Sequence, residues 1–199
     1  MRLGLISVVA GLLLVGGCVP SLHPLYTEED LVFDSALLGK WSEKPNATKP
    51  GATWHFEKDA RDPTGYLLKT TGADNRTDMF SAHLVRLGDS LYLDLVPAKP
   101  SPGSKRHAMH GLHYIPAHLF FKVYQVSPEF QWGVMLPAAV NQLLAETPEA
   151  LKHERPDGRL VLTASPKELQ EFVQKHSKEK LFTPPIVMKR VEEESKALK

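Results

Sequence analysis

The stretch FSAHLVRLGDSLYLDLVP, Phe80 to Pro97, decides the fold. Two apolar-rich runs flank Gly88-Asp89, a two-residue turn of the kind a tight antiparallel hairpin prefers. A loop that short fixes register. Leu84 then faces Leu93 and Ala82 faces Leu95 on the core side of the ribbon. Val85 faces Tyr92, and His83 faces Asp94, on the opposite side.

Strand signals continue outward in both directions. Upstream, Leu37–Glu43, Ala52–Lys58 and Gly65–Thr71 read as strands. Trp54 and Phe56 share one face of the second, and Asp62-Pro63-Thr64-Gly65 turns the chain into the third. Downstream, Leu112–Ser127 and Phe130–Leu136 read as strands, Pro137–Glu146 as a short helix and Arg159–Ala164 as a further strand. Ser165-Pro166-Lys167-Glu168 opens a second helix with two agreeing signals: a Ser/Glu capping box and proline at the first helical position. Leu169, Phe172 and Val173 then give it one apolar face. Pro184-Pro185 stops it, and Ile186–Val191 is a closing strand. The expected fold is mainly β: an antiparallel up-and-down barrel, or a strongly curved sheet, of eight to nine strands with one or two short helices near the C-terminus. Closure is the economical solution because it removes exposed strand edges.

The chain has 24 Lys and Arg against 23 Asp and Glu. That balance excludes nucleic acid as a partner, whose recognition needs a basic surface. Asn46-Ala47-Thr48 and Asn75-Arg76-Thr77 match the glycosylation sequon and are read as exposed loops.

The N-terminus is organised differently. Met1-Arg2 precedes an apolar run from Leu3 to Val15, and Gly16-Gly17-Cys18 follows. A short basic start, an apolar run and small residues at its end describe a secretory signal peptide. A membrane-spanning helix needs roughly 17–25 apolar residues, more than this run supplies. Val15-Gly16-Gly17-Cys18, with the chain's single cysteine last, resembles the lipobox of bacterial lipoproteins. The resemblance implies cleavage between Gly17 and Cys18, acylation of the Cys18 thiol, and attachment to a membrane through those chains. Val19 rather than Asp follows the cysteine, which in that family implies the outer membrane, facing the periplasm.

Removing residues 1–17 leaves 182 residues, enough for one domain with a real core. Without Arg2 the basic residues number 23, equal to the acidic ones. One cysteine allows no internal disulfide. The expected organisation is a signal peptide over 1–17, a lipid-bearing lead-in over 18–34 that docks on the domain, a β-rich domain over 35–191 and a charged tail over 192–199.

Gly39-Lys40-Trp41 resembles the G-x-W opening of lipocalins, and the capped helix Ser165–Lys175 following a strand resembles their C-terminal helix. The resemblance implies a basic side chain packed over the tryptophan, Arg190 or Lys189 here; Ala164 stands where that family commonly has its arginine. The stretches HPLYTEEDLVFDSALLGKW, IPAHLFFKV and LTASPKELQEFVQKH, with the hairpin, are similar to a group of uncharacterised bacterial lipoproteins. That similarity brings no active residues.

Few residues point to chemistry. His107, His110 and His113 recur every three positions, but Pro100, Pro102, Gly103 and Gly111 make their segment a loop rather than a helix. They are weak candidates for a metal site, which needs three or four converging ligands. His118 sits in an apolar strand and is read as hydrogen-bonded and partly buried. His83 opposite Asp94 would be two members of a hydrolase triad, yet no nucleophile-elbow motif accompanies them. A surface ion pair is the simpler reading. Lys99, Lys105 and Arg106 make the loop after the hairpin basic, suited to anionic headgroups or equally to a lid over a barrel mouth, with a loop of no role the simpler reading. No catalytic residue, metal or cofactor is expected. The leading expectation is a non-enzymatic, lipid-anchored envelope protein binding a small apolar ligand in its barrel. The alternatives are an envelope interaction or assembly protein with a filled core, and a metal-dependent enzyme using the loop histidines.

Overall fold

The structure is a computed structural model describing residues 18–43, 51–98, 114–176 and 181–192. After a short strand β1 (Leu31–Val32), seven strands follow as a meander: β2 (Gly39–Glu43), β3 (Thr53–Lys58), β4 (Gly65–Thr71), β5 (Thr77–Leu87), β6 (Ser90–Pro97), β7 (Leu119–Gln125) and β8 (Glu129–Val134). The chain then leaves the sheet for helix α1 (Pro137–Glu146), a two-residue ribbon of β9 (His153–Glu154) and β10 (Val161–Leu162), and helix α2 (Pro166–Lys175). Strand β11 (Ile186–Arg190) returns and pairs antiparallel with β8 on one side and β2 on the other. Strands β2 to β8 and β11 thereby close an eight-stranded antiparallel barrel, and β1 adds to the β4-side edge of β5.

The β5–β6 register is the one the turn dictates: Leu84 opposite Leu93, Ala82 opposite Leu95, His83 opposite Asp94. Alternation sends Ala82, Leu84, Leu93 and Leu95 inward. They join Trp41, Trp54, Phe56, Tyr66, Phe121, Phe130, Trp132 and Met188 in a continuous core inside the barrel.

A second core lies against the outside of the barrel. Val85, Leu87, Tyr92 and Phe120 point outward and are buried under Val19, Leu25, α1, α2 and the β9–β10 ribbon. This explains why the hairpin is apolar on both faces: it is a shared wall between two cores, and a strand covered twice loses its polar face.

Several elements differ from the sequence expectation. The strand expected over Leu112–Ser127 begins only at Leu119, and the one expected over Arg159–Ala164 is two residues long and lies outside the barrel, paired with β9. The strand preceding the capped helix is therefore not a barrel strand; the eighth barrel strand follows the helix. The capping box itself is formed. Ser165 Oγ accepts from the Glu168 N–H, and Glu168 Oε2 accepts from the Ser165 N–H at 2.7 Å.

Candidate functional site

The lead-in from Cys18 to Asp30 touches both the barrel and the helical layer, and Asp94, His118 and His83 of the outer wall lie against it. Cys18 is exposed, and Val19 directly after it is buried. Ser21 exchanges two backbone bonds with His118, at 3.0 and 2.8 Å. The Leu162 N–H donates to Pro20 O, and the Leu22 N–H to Leu162 O, both at 2.9 Å. The lead-in is thus a strand-like splice between the start of β7 and β10.

Further along, the Leu25 N–H donates to Asp94 Oδ2 at 2.8 Å. Asp94 is 1% exposed. Its other oxygen accepts from His118 Nδ1 at 2.7 Å, since a carboxylate can only accept. A buried carboxylate needs such partners, because an unpaired one carries a large desolvation cost. The α2 side chain Gln170 donates to Leu25 O at 3.0 Å and to Asp30 Oδ2 at 2.7 Å, tying the same segment to the helix. Burial works against ionisation of Asp30, yet the hydrogen bonds from Thr27 and Gln170 outweigh it and hold the carboxyl below its usual range.

The expected His83–Asp94 pair is corrected by this geometry. The two residues are register partners, but each side chain turns to another residue. His83 Nε2 donates to Asp62 Oδ2 at 2.8 Å, and Asp94 binds His118. Nor is Asp94 at the surface. The hydrogen bond from His83 draws the Asp62 carboxyl down to about 2. The Tyr26 ring lies tilted against His83, with ring centroids 4.8 Å apart. Burial, with Asp94 and Asp62 nearby, pushes its phenol up to about 12. Two His–Asp pairs therefore flank the buried path of the lead-in. Asp94 also holds the Leu25 N–H of the lead-in, whereas Asp62 also accepts from the N–H and Oγ1–H of Thr64 in its own turn.

Gly39, Trp41 and Arg190 are brought together at the end of the barrel where β2 begins. Arg190 is the cross-strand partner of Trp41, and its guanidinium lies 4.3 Å above the indole. It donates to Leu38 O at 2.7 Å and Ala36 O at 2.6 Å, while Trp41 Nε1 donates to Leu37 O at 2.8 Å. Gly39 has φ +105, and a Cβ there would stand 2.8 Å from Arg190 Nη1. Lys189 points elsewhere, to Glu129 at 3.5 Å.

The barrel interior is occupied by rings. Trp54 stacks on Trp132 at 4.6 Å, Phe121 meets Trp132 edge-on at 5.4 Å, and Phe56, Phe130 and Trp41 continue the cluster. The buried Trp132 Nε1–H has no acceptor among the described residues.

Residues 1–17, including Gly17 of the expected cleavage site, lie outside the described residues, as do His107, His110, His113, Lys99, Lys105, Arg106 and the Asn46 sequon. Asn75 of the other sequon sits in the β4–β5 turn at φ 60. Among the described residues no group of His, Cys, Asp or Glu converges as metal ligands do. No family model, curated protein or solved structure matches this chain.

Proposed function

We propose that this chain is a lipid-anchored protein of the bacterial cell envelope, acylated on Cys18 and held at the outer membrane facing the periplasm, whose barrel acts without catalysis as an interaction or assembly module. The observation that carries the reading is the position of Cys18. It stands exposed immediately before the first buried residue of the domain, where a lipobox-like sequence would place the new N-terminus. Acyl chains contribute about 0.8 kcal/mol per buried CH₂, so two or more hold a folded domain stably at a bilayer.

The aromatic cluster inside the barrel supports work at the outer surface over storage of a ligand. Mass spectrometry of the mature protein tests the anchor: the N-terminal peptide should begin at Cys18 and carry acyl mass. An unmodified thiol there, or a chain starting at Met1, would overturn it. Crosslinking in intact envelopes should then trap a specific protein neighbour.

One observation favours a second reading, a small apolar ligand with a single acceptor atom. It is the indole N–H of Trp132 within the aromatic cluster, which finds no acceptor among the described residues. Quenching of tryptophan fluorescence by a titrated fatty acid would support this reading, and a flat titration would dismiss it.

A further inference from the structure

We propose that the domain sits directly on a phospholipid surface, through the face presented by Cys18, Pro20 and Leu22 and extended across one backbone bridge by Ala117 and Ile115. The inference rests on acylation of Cys18 and adds where the membrane lies against the fold.

The first argument is chain length. Pro20 already accepts a backbone bond from Leu162, and Val19 is buried in the outer core. Two extended residues reach roughly 7 Å at most. A lipid-bearing Cys18 therefore cannot hang from a slack tether, and the surface around it must lie among the headgroups.

The second argument is alternation. Along the extended lead-in, Val19 and Ser21 are buried while Cys18 and Leu22 are exposed, with Pro20 between them half-buried. Period two therefore puts Cys18, Pro20 and Leu22 on one outward side. The antiparallel Ser21–His118 bridge sets Leu22 beside Ala117, and Ile115 falls two positions further on the same side. Leu22 is 40% exposed and Ile115 71% exposed. Large apolar side chains continuous with a lipid attachment point are what the boundary between headgroups and acyl chains accommodates.

A third feature agrees. Ser21 also bridges Leu162 in parallel. Arg159, three residues before Leu162 as Cys18 is three before Ser21, is exposed. An exposed arginine on the segment leading into that neighbouring strand suits the phosphates that every phospholipid headgroup carries.

The test uses the lipidated full-length mature protein in vesicles of phosphatidylethanolamine and phosphatidylglycerol. In an Ile115→Cys variant with Cys18 acylated, the new thiol is the single site for a fluorescent label. Nitroxides carried on the lipid headgroups should quench that label at least threefold more than one at Glu57→Cys. Glu57 is exposed on β3, four strands from β7 in either direction around the eight-stranded barrel. A ten-residue Gly-Ser insertion between Cys18 and Val19 should abolish the difference while the protein still floats with the vesicles. Equal, weak quenching at both positions in protein that floats would overturn the seat and leave the anchor standing. Two labels per chain would mean Cys18 is free, and would overturn both.

Discussion

Arg190 lies over Trp41, its guanidinium carbon 4.3 Å from the ring centroid, and closes the end of the barrel by donating to the carbonyls of Ala36 and Leu38. Those carbonyls belong to the turn that leads into β2, so the last barrel strand locks the approach to the first. Two hydrogen bonds from a charged donor and a cation–π contact at an exposed site together make Arg190→Ala cost about 2 kcal/mol. Urea unfolding followed by tryptophan fluorescence measures it. Arg190→Lys should recover less than half of the loss, because an ammonium lacks the planar fork that reaches both carbonyls.

Gly39 is coupled to the same guanidinium. A methyl at residue 39 meets Arg190 Nη1 at 2.8 Å, on a backbone at φ +105 that L side chains rarely adopt. Gly39→Ala should therefore destabilise by about 2–3 kcal/mol. Part of that is backbone strain and part is displacement of Arg190. In an Arg190→Ala background the displacement disappears and the strain remains. The double variant should be more stable than the sum of the single effects implies, by roughly 1 kcal/mol. Strict additivity would place the whole cost of Gly39→Ala in the backbone.

The barrel was legible in the sequence because its wall is built from local signals. Gly88-Asp89 sets the register of β5 and β6, and from β2 to β8 each strand pairs with its neighbour in the chain. The second core was not legible as such. Val85, Tyr92 and Phe120 make the outward face apolar too, but what covers them comes from distant segments, among them Val19, Leu25, Phe172 and Val173. The partners of the buried ionisable groups were hidden for the same reason. Strand register predicts which backbones face each other, but side chains on a covered face choose among everything that covers it. Asp94 thus finds His118 and the Leu25 N–H rather than His83. One signal was available: an aspartate and two histidines within strands this apolar imply polar partners supplied from outside the ladder.

Asp94 should matter locally before it matters globally. Asp94→Asn replaces an acceptor of two hydrogen bonds with a group whose NH₂ faces a donor, and the change is buried. The expected loss is about 3 kcal/mol. Hydrogen exchange separates the local effect from the global one. The Leu25 amide and its neighbours to Asp30 should lose protection at denaturant concentrations where the β3–β4 amides remain protected. Uniform loss across the chain would mean that the lead-in is no separate unit and that Asp94 serves the barrel as a whole.

Asp62 gives the fold an acid-side dependence with a definite sign. Its carboxyl is drawn to about 2 in the folded protein by the hydrogen bond from His83, with help from Thr64, against about 3.9 in an unfolded chain. A depressed folded value means that the folded state prefers the ionised form. The associated stability is therefore fully present above about pH 5, and drains away as pH falls through 4 towards 2. Asp62→Asn cannot ionise and lacks this contribution at every pH. The gap in urea midpoint between wild type and Asp62→Asn should stay constant just above pH 5 and narrow continuously below pH 4. The Asp62 side chain is more than one third exposed, so solvent screens the pair and the gap should shrink in high salt as well. A gap that persists unchanged at pH 2 would show that Asp62 holds the turn through its hydrogen bonds with Thr64, independent of charge and of His83.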